Sequence, residues 1–351
     1  MNISVTDALP LFTNTIVAKY SDHQKPKSFG RSFFTEVETN SKLASLVSER
    51  GLNLIANDIP RGQRGELNVF DKSTQNVVFP PFFDKLINLT DLDGYDYLHV
   101  EGVTSQIAWG RFLDDFAARM MVCMNQIDRR YELMCWQVLE TGIIQLSSMK
   151  NISYGRKAGS LVNALTVGGY WTTNGVNPVT GTLMRGAVWN NETGKMNGNT
   201  LNVIFGSEAW SAWVANSTTK DNDLKFNNNL TVLAKQAVRD STGKTFLGST
   251  TYDAFNFNFF TYSDFYQDDD GTVHKFVNPK KVIILPEETA NVLTYCAVPL
   301  LTEQGAMLSK GKFSTYRALD QFAQAEFRGV RSAGIPIQAA VDQVYTEQVV
   351  A

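Results

Sequence analysis

The chain has 351 residues, of which 43% are hydrophobic and 19% charged, and its formal net charge is -3. This composition is globular rather than disordered, and the length allows about two or three domains with ordinary cores. The charge excludes global attraction to nucleic acid, no apolar run of about 18 residues marks a membrane span, and the first residues lack the basic and apolar regions of a signal peptide.

Residues 1–50 have the character of an arm. LPLFTNTIVAKY is a short helix or an extended piece, DHQKPKSFG is polar and turn-rich, and RSFFTEVETNSKLASLV favours extended backbone through its β-branched residues. Residues 51–93 form a hairpin excursion. LNLIAND and VVFPPFF are its strand candidates, with IPRGQRGELN as the turn region between them. Pro80-Pro81 interrupts the second strand and places it at an edge. A long hairpin open on both edges is an aggregation liability unless something covers it, and another copy of the chain is the natural cover.

From Thr104 to Thr141 no proline occurs, and Leu113, Phe116, Met120, Cys123, Ile127, Tyr131, Met134 and Val138 recur at steps of three and four. That is one face of a helix roughly 55 Å long, longer than a small domain is wide, which makes it a spine for separate lobes. Asp115 lies four residues from both Arg111 and Arg119, so charges pair on the solvated side, and Gly142 is the C-terminal stop. IIQLSS and NISYGR then form a tight antiparallel pair. TLMRGAVWN is a short helix, LNVIF a buried strand, and Ser207 the cap of the helix EAWSAWVAN. LTVLAKQAV fits helix or strand. FNFNFFTYSDFY and TVHKFV make a hairpin turning at Asp270-Gly271, KKVIILP is a strand, and the tail FRGVRSAGIPIQAAVDQVYTEQVV returns as strands.

Residues suited to catalysis are few. The three histidines, His23, His99 and His274, have no metal-ligand spacing to one another or to Cys123, Cys135 and Cys296. The odd cysteine count fits free thiols in a reducing cytoplasm. No phosphate-binding, dinucleotide or nucleophile motif is present, so no cofactor is expected. Asp268-Asp269-Asp270-Gly271 lacks the alternating ligands of a calcium loop and fits a turn. Asp114 and Asp115 point about 100° apart on a helix, so they cannot flank one substrate and fit a solvated or partner-binding face. The six tryptophans are scattered, as core and interface anchors are. Arg61 and Arg64 form a basic loop cluster, suited to pairing with acids of another subunit and too small for a nucleic-acid footprint.

The collinear order of these pieces resembles the major capsid proteins of tailed bacteriophages, specifically the lambda-like capsid protein E family. The resemblance is carried by Ser32-Phe33-Phe34, by Val78-Phe79-Pro80-Pro81-Phe82 with Lys85, by Gly142 with Tyr154-Gly155-Arg156, by LNVIFGSEAW, by FFTYSDFYQDDDGTVHKFVNPKKVIILP and by IPIQAAVDQVYTEQVV. It departs where Asn177-Pro178 stands in place of the family's usual Asp-Pro.

The resemblance implies an α+β Hong Kong 97-type fold: an N-terminal arm at 1–50, an extended loop at 51–93, a peripheral domain at 94–199 and 322–351 with spine 104–141, and an axial domain at 200–321. The implied function is a non-enzymatic head shell around double-stranded DNA, localised to the virion and assembled in the host cytoplasm. Its partners would be itself, in hexamers and pentamers, with scaffold, portal and decoration proteins, and packaged DNA without sequence specificity; no membrane is involved. The expected subunit-interface residues are Arg61, Arg64, Phe82, Asp114, Asp115 and Arg119. Two alternatives stand beside this: a cellular cargo-enclosing shell of the same fold, and a carbohydrate-binding or carbohydrate-active protein using exposed tryptophans.

Overall fold

The computed structural model describes residues 13, 15–17, 28–48, 74–89, 105–147, 149–193, 198–219, 238–239, 242–268, 270–302, 305–320, 325–338 and 340–351. A single 3-10 turn, Gly30–Phe33, leads into β1 (Thr35–Glu38), β2 (Ala44–Ser48), β3 (Thr74–Val78) and β4 (Phe82–Asn88). The spine α1 (Ser105–Thr141) follows, then β5 (Ile143–Ile144), β6 (Ile152–Ser153), β7 (Leu161–Asn163) and α2 (Ala164–Val167). A π-turn at Val179–Leu183 opens α3 (Met184–Glu192), followed by β8 (Thr200–Phe205) and α4 (Ser207–Ala215). Next come β9 (Val238–Arg239), β10 (Lys244–Tyr252), β11 (Phe255–Tyr262), β12 (Phe265–Gln267), β13 (Val273–Lys275) and β14 (Lys281–Pro286). The chain ends with β15 (Val292–Tyr295), β16 (Val298–Thr302), β17 (Gly305–Ser309), β18 (Ser314–Asp320), β19 (Ala325–Ile337) and β20 (Tyr345–Gln348).

The spine is a continuous helix of 37 residues within one residue of its expected start. Its buried stripe is Phe112, Phe116, Met120, Met124, Ile127, Tyr131, Met134 and Val138, so Phe112 and Met124 take the inner places expected for Leu113 and Cys123, which are half-buried. Leu133, Cys135, Trp136 and Leu139 are buried as well, which shows the C-terminal half enclosed on more than one side. Gly142 ends it in the left-handed region (φ 70°), and a Cβ there would meet Arg156 Cδ at 2.6 Å.

A seven-stranded sheet, ordered β7-β20-β14-β8-β11-β10-β9, packs on the C-terminal half of the spine. Period-two alternation assigns its two faces. Ile204, Tyr262, Ile283 and Leu285 join the spine core, while Leu201, Val203, Phe205, Phe257, Phe259 and Ile284 join a second core under α3 and α4. A five-stranded sheet is built on β19, whose register with β4 and with β18 overlaps, so the two flank it on opposite edges. β15 pairs with the C-terminal end of β19, Val292↔Ile337 to Tyr295↔Gly334, and β1 lies parallel outside β15.

Three local expectations change. FNFNFF is β11, a central strand paired with β10 and β8; the hairpin containing Asp270-Gly271 is the short pair β12–β13. Ser207 is the first helical residue and Gly206 the N-cap, because the chain approaches so closely that a Cβ on Gly206 would meet Asn278 O at 2.2 Å. The described partner of Thr74–Val78 is Ala44–Ser48, so the hairpin begins within the stretch read as arm. LNLIAND and most of LTVLAKQAV lie outside the described residues.

The two cores also divide the chain at other points than the expected boundaries. Residues 171–187 and β20 pack with the second core, whereas β15 and β16 pack with the spine.

Arg156 joins these parts. Its buried guanidinium donates to Leu139 O (2.8 Å) at the spine's C-terminus, to Val344 O (2.6 Å) and to Thr346 Oγ1 (3.2 Å). Burial pushes its pKa down to about 10, with Asp342 and Glu140 opposing. Replacing it by alanine leaves several buried acceptors unmade, so Arg156→Ala should cost about 3 kcal/mol or more in denaturant unfolding. A loss below about 1 kcal/mol would show that water replaces the guanidinium without strain.

Candidate assembly surfaces

The arm is fixed to the spine by a buried polar cluster. Gly30 comes so close to the helix that a Cβ would meet Trp136 Nε1 at 2.7 Å. The Glu132 carboxylate accepts the Gly30 and Arg31 amides (2.7 and 3.0 Å) and Trp136 Nε1 (2.7 Å). Arg31 Nη1 donates to Asp128 Oδ1 (3.1 Å), Arg31 Nη2 pairs with Glu36, and Lys312 pairs with Asp128. Phe29 and Phe33 pack their rings against Trp136, and Phe29 also meets Tyr262. Asp128 and Glu132, four residues apart inside the apolar stripe, were the sequence signal for this cluster. Burial raises the Glu132 carboxyl to about 6 against the amide hydrogen bonds, and lowers the Lys312 amine to about 8, helped by neighbouring Arg31.

Beyond this clamp the chain runs outward. All four residues of β1 are exposed. β2 and β3 pair with each other from Ala44↔Val78 to Ser48↔Thr74 and, among the described residues, with no other strand. Pro80 and Pro81 are buried and separate this ribbon from β4. Phe79, Phe82 and Leu86 beside them are exposed. Along β4 lies a groove of about 550 Å³ whose lining includes Phe82, Lys85, Ile127, Arg130, Met149 and Tyr266. Its far walls are held by Arg129 Nη1 donating to Phe265 O (2.6 Å) and Arg130 Nη2 donating to Gln145 O (2.7 Å).

The expected interface residues fall in three places. Arg61 and Arg64 lie outside the described residues. Phe82 sits at the groove, with Arg331 over its ring at 5.7 Å. Asp114 is exposed on the N-terminal half of the spine, and Asp115 pairs with Arg119 at 3.1 Å, a surface pair of small energetic weight. Trp136, Trp171 and Trp213 are buried core residues, which leaves them unable to form a sugar platform. Among the described residues no group of three or more potential metal ligands occurs, and no helix is long and apolar enough to cross a membrane.

Comparison with known families decides what this geometry belongs to. The family model for phage major capsid protein E matches residues 110–310, more than half of the chain. The chain belongs to that family. Its fold is correspondingly similar to a putative capsid protein of a prophage of E. coli CFT073, at 14% identity and TM-score 0.64, covering 96% of this chain and 98% of the other. A phage-related protein from Bordetella bronchiseptica RB50 is similar at 11% identity and TM-score 0.51, with 97% and 96% covered. No curated protein sequence matches. The α+β architecture is the Hong Kong 97-type capsid fold, and this capsid protein has the role of a major shell component of the virion. Its family points to structural rather than catalytic work, and to self-assembly.

The clamp makes stability depend on pH. Glu132 titrates near 6 when folded against an ordinary value near 4.5, so its cost is full above pH 6 and is relieved as pH falls toward 4.5. The difference in unfolding free energy between wild type and Glu132→Gln should therefore shift by up to about 2 kcal/mol across that window, wild type gaining at the acid end. Denaturant titrations at pH 4.5 and 7 read this, and a pH-independent difference would show that Glu132 does not titrate there.

Proposed function

We propose that copies of this capsid protein close into an icosahedral or prolate head around double-stranded DNA, through hexamers and pentamers built on ring-closing, heterologous contacts. The observation that supports this most is the β2–β3 ribbon. It leaves a rigid clamp and pairs with no other described strand, so its backbone donors and acceptors are there to be completed by neighbours. In this reading the β2–β3 ribbon and the loop it carries reach across adjacent subunits, and the axial lobe, expected at 200–321, faces the symmetry axes. The net charge of -3 suits an inner surface along which packaged DNA moves without being held. Scaffold and portal proteins start and size the shell, decoration proteins are optional additions, and assembly takes place in the host cytoplasm.

Electron microscopy and sedimentation of the protein expressed with its scaffold test this, and closed shells are the expected result. Small monodisperse species under all conditions would count against it. Arg61 and Arg64 are assigned here to an intersubunit contact of the loop, together with Phe82, Asp114, Asp115 and Arg119. Reversing both arginines to glutamate should leave the monomer's unfolding midpoint unchanged and reduce shell yield. Normal shells from that double variant would remove the arginines from the contact.

A further inference from the structure

We propose that the acidic turn of the β12–β13 hairpin in one copy docks on the Arg317–Arg328 pair at the open β18 edge of the next. This rests on the assembly reading above and names the two surfaces that meet. β18 pairs only with β19 among the described residues, so its outer edge is open. At this end of β19, Arg317 stands opposite Arg328 and Leu319 opposite Glu326, which puts these residues on one face. Val330 and Ser332 continue that face, Val330 in the spine core and Ser332 bonded to Tyr131, so it is the helix-side face. Asp320 pairs with Ala325, in the alternate phase of the strand. On the helix-side face two guanidinium groups share one carboxylate. Glu326 accepts Arg317 Nε and Nη2 at 2.8 and 3.2 Å, and Arg328 Nη2 lies 3.2 Å from Glu326 Oε1. Arg328 is 6% exposed, and among the described residues its Nε and Nη2 find no hydrogen-bond acceptor. A buried guanidinium short of acceptors is costly, and the cluster lacks one negative charge. A second carboxylate arriving at Arg317, the half-buried member on the edge strand, releases Glu326 to Arg328 and balances two charges with two.

The hairpin supplies that carboxylate. Asp268–Asp270 is the longest run of consecutive acids in the chain. Asp268 is engaged by His274 Nε2 at 2.8 Å, whereas Asp270 is exposed and makes no ion pair among the described residues. Its Oδ1 accepts the Thr272 amide at 3.1 Å, which fixes the turn. Phe265 and Val273, 54% and 59% exposed, share one face of the hairpin by alternation and match Leu319, 61% exposed beside Arg317. Lys275, on that same face, is held by Ser207 Oγ at 2.7 Å. The two features stand on opposite sides of the five-stranded sheet. Tyr266, Gln267 and Asp268 wall the groove that runs along the free edge of β4, and β4 and β18 flank β19 on opposite edges. The contact is therefore head-to-tail, the kind that closes rings.

The test uses full-length protein assembled into particles, with the unfolding midpoint of the unassembled chain as a folding control. Asp270→Lys and Arg317→Glu should each lower the assembled fraction by about tenfold, since a modest charge term is repeated around every ring. The double variant carrying both changes should restore assembly, and singles that fall without rescue in the double overturn the hairpin as the occupant. Arg328→Met removes the donors that lack acceptors, so the unassembled chain should keep or raise its unfolding midpoint while assembly falls. A midpoint that falls together with assembly would show Arg328 satisfied within its own chain and overturn the demand for an outside carboxylate. Independently, particles carrying Val273→Cys and Leu319→Cys should give, on oxidation, a ladder of covalent oligomers that neither single variant gives. Wild-type assembly in both charge variants together with no ladder overturns this contact alone. A wild-type protein that forms no shells under any condition overturns the assembly reading and this contact with it.

Discussion

Two carboxylates buried in an apolar helix face constrain this molecule more than any other feature. Asp128 and Glu132 are fully buried on the spine, where ionised groups are costly unless hydrogen-bonded or paired. The partners come from distant sequence: amides of Gly30 and Arg31, the Arg31 guanidinium and the Lys312 amine. The spine therefore cannot be satisfied unless the arm docks in one orientation and the residues following β17 come alongside. That fixes where the chain departs toward β1 and the ribbon. A leucine pair at 128 and 132 would bind any apolar segment, but the carboxylates accept only one arrangement of donors.

The spine also organises two cores. Its C-terminal half lies under one face of the seven-stranded sheet while α3 and α4 cover the other, so β14, with Val282, Ile283, Ile284 and Leu285, is apolar on both faces. Trp136 stacked on Tyr262, at 5.4 Å and 26°, joins helix and sheet. Arg156 joins the helix end to β20. These contacts tie the helix and both sheets into one body, from which the ribbon departs.

Much of this was legible in the residues, for reasons that can be named. The spine was plain because its three-and-four spacing is uninterrupted by proline, and Gly142 marked its end because only a left-handed residue turns there. The buried runs VIF and VIIL were legible as strands buried on both sides. What failed was pairing. FNFNFF alternates as any sheet strand does, and alternation does not say whether its neighbour is the next strand or the previous one. The split of the chain between two cores was hidden for the same reason, since β20 reaches the second sheet by a long-range pairing that no local pattern encodes. Phe82 is exposed beside the two prolines, a place the sequence marks as a strand edge. The clamp was overlooked because Asp128 and Glu132 resemble ordinary solvated charges until the faces of the helix are counted.

The two roots of the ribbon have a mechanical meaning. β1 leads into β2 and β4 receives β3, and both hold to β19, β4 directly and β1 through β15. Tension drawn along the strands would reach β19 through two ladders in shear. Bonds in shear share force and yield together, whereas bonds peeled from one end yield singly. The attachment of the ribbon thus resembles a lap joint with two overlaps, and its resistance would scale with ladder length rather than with the strength of any single contact.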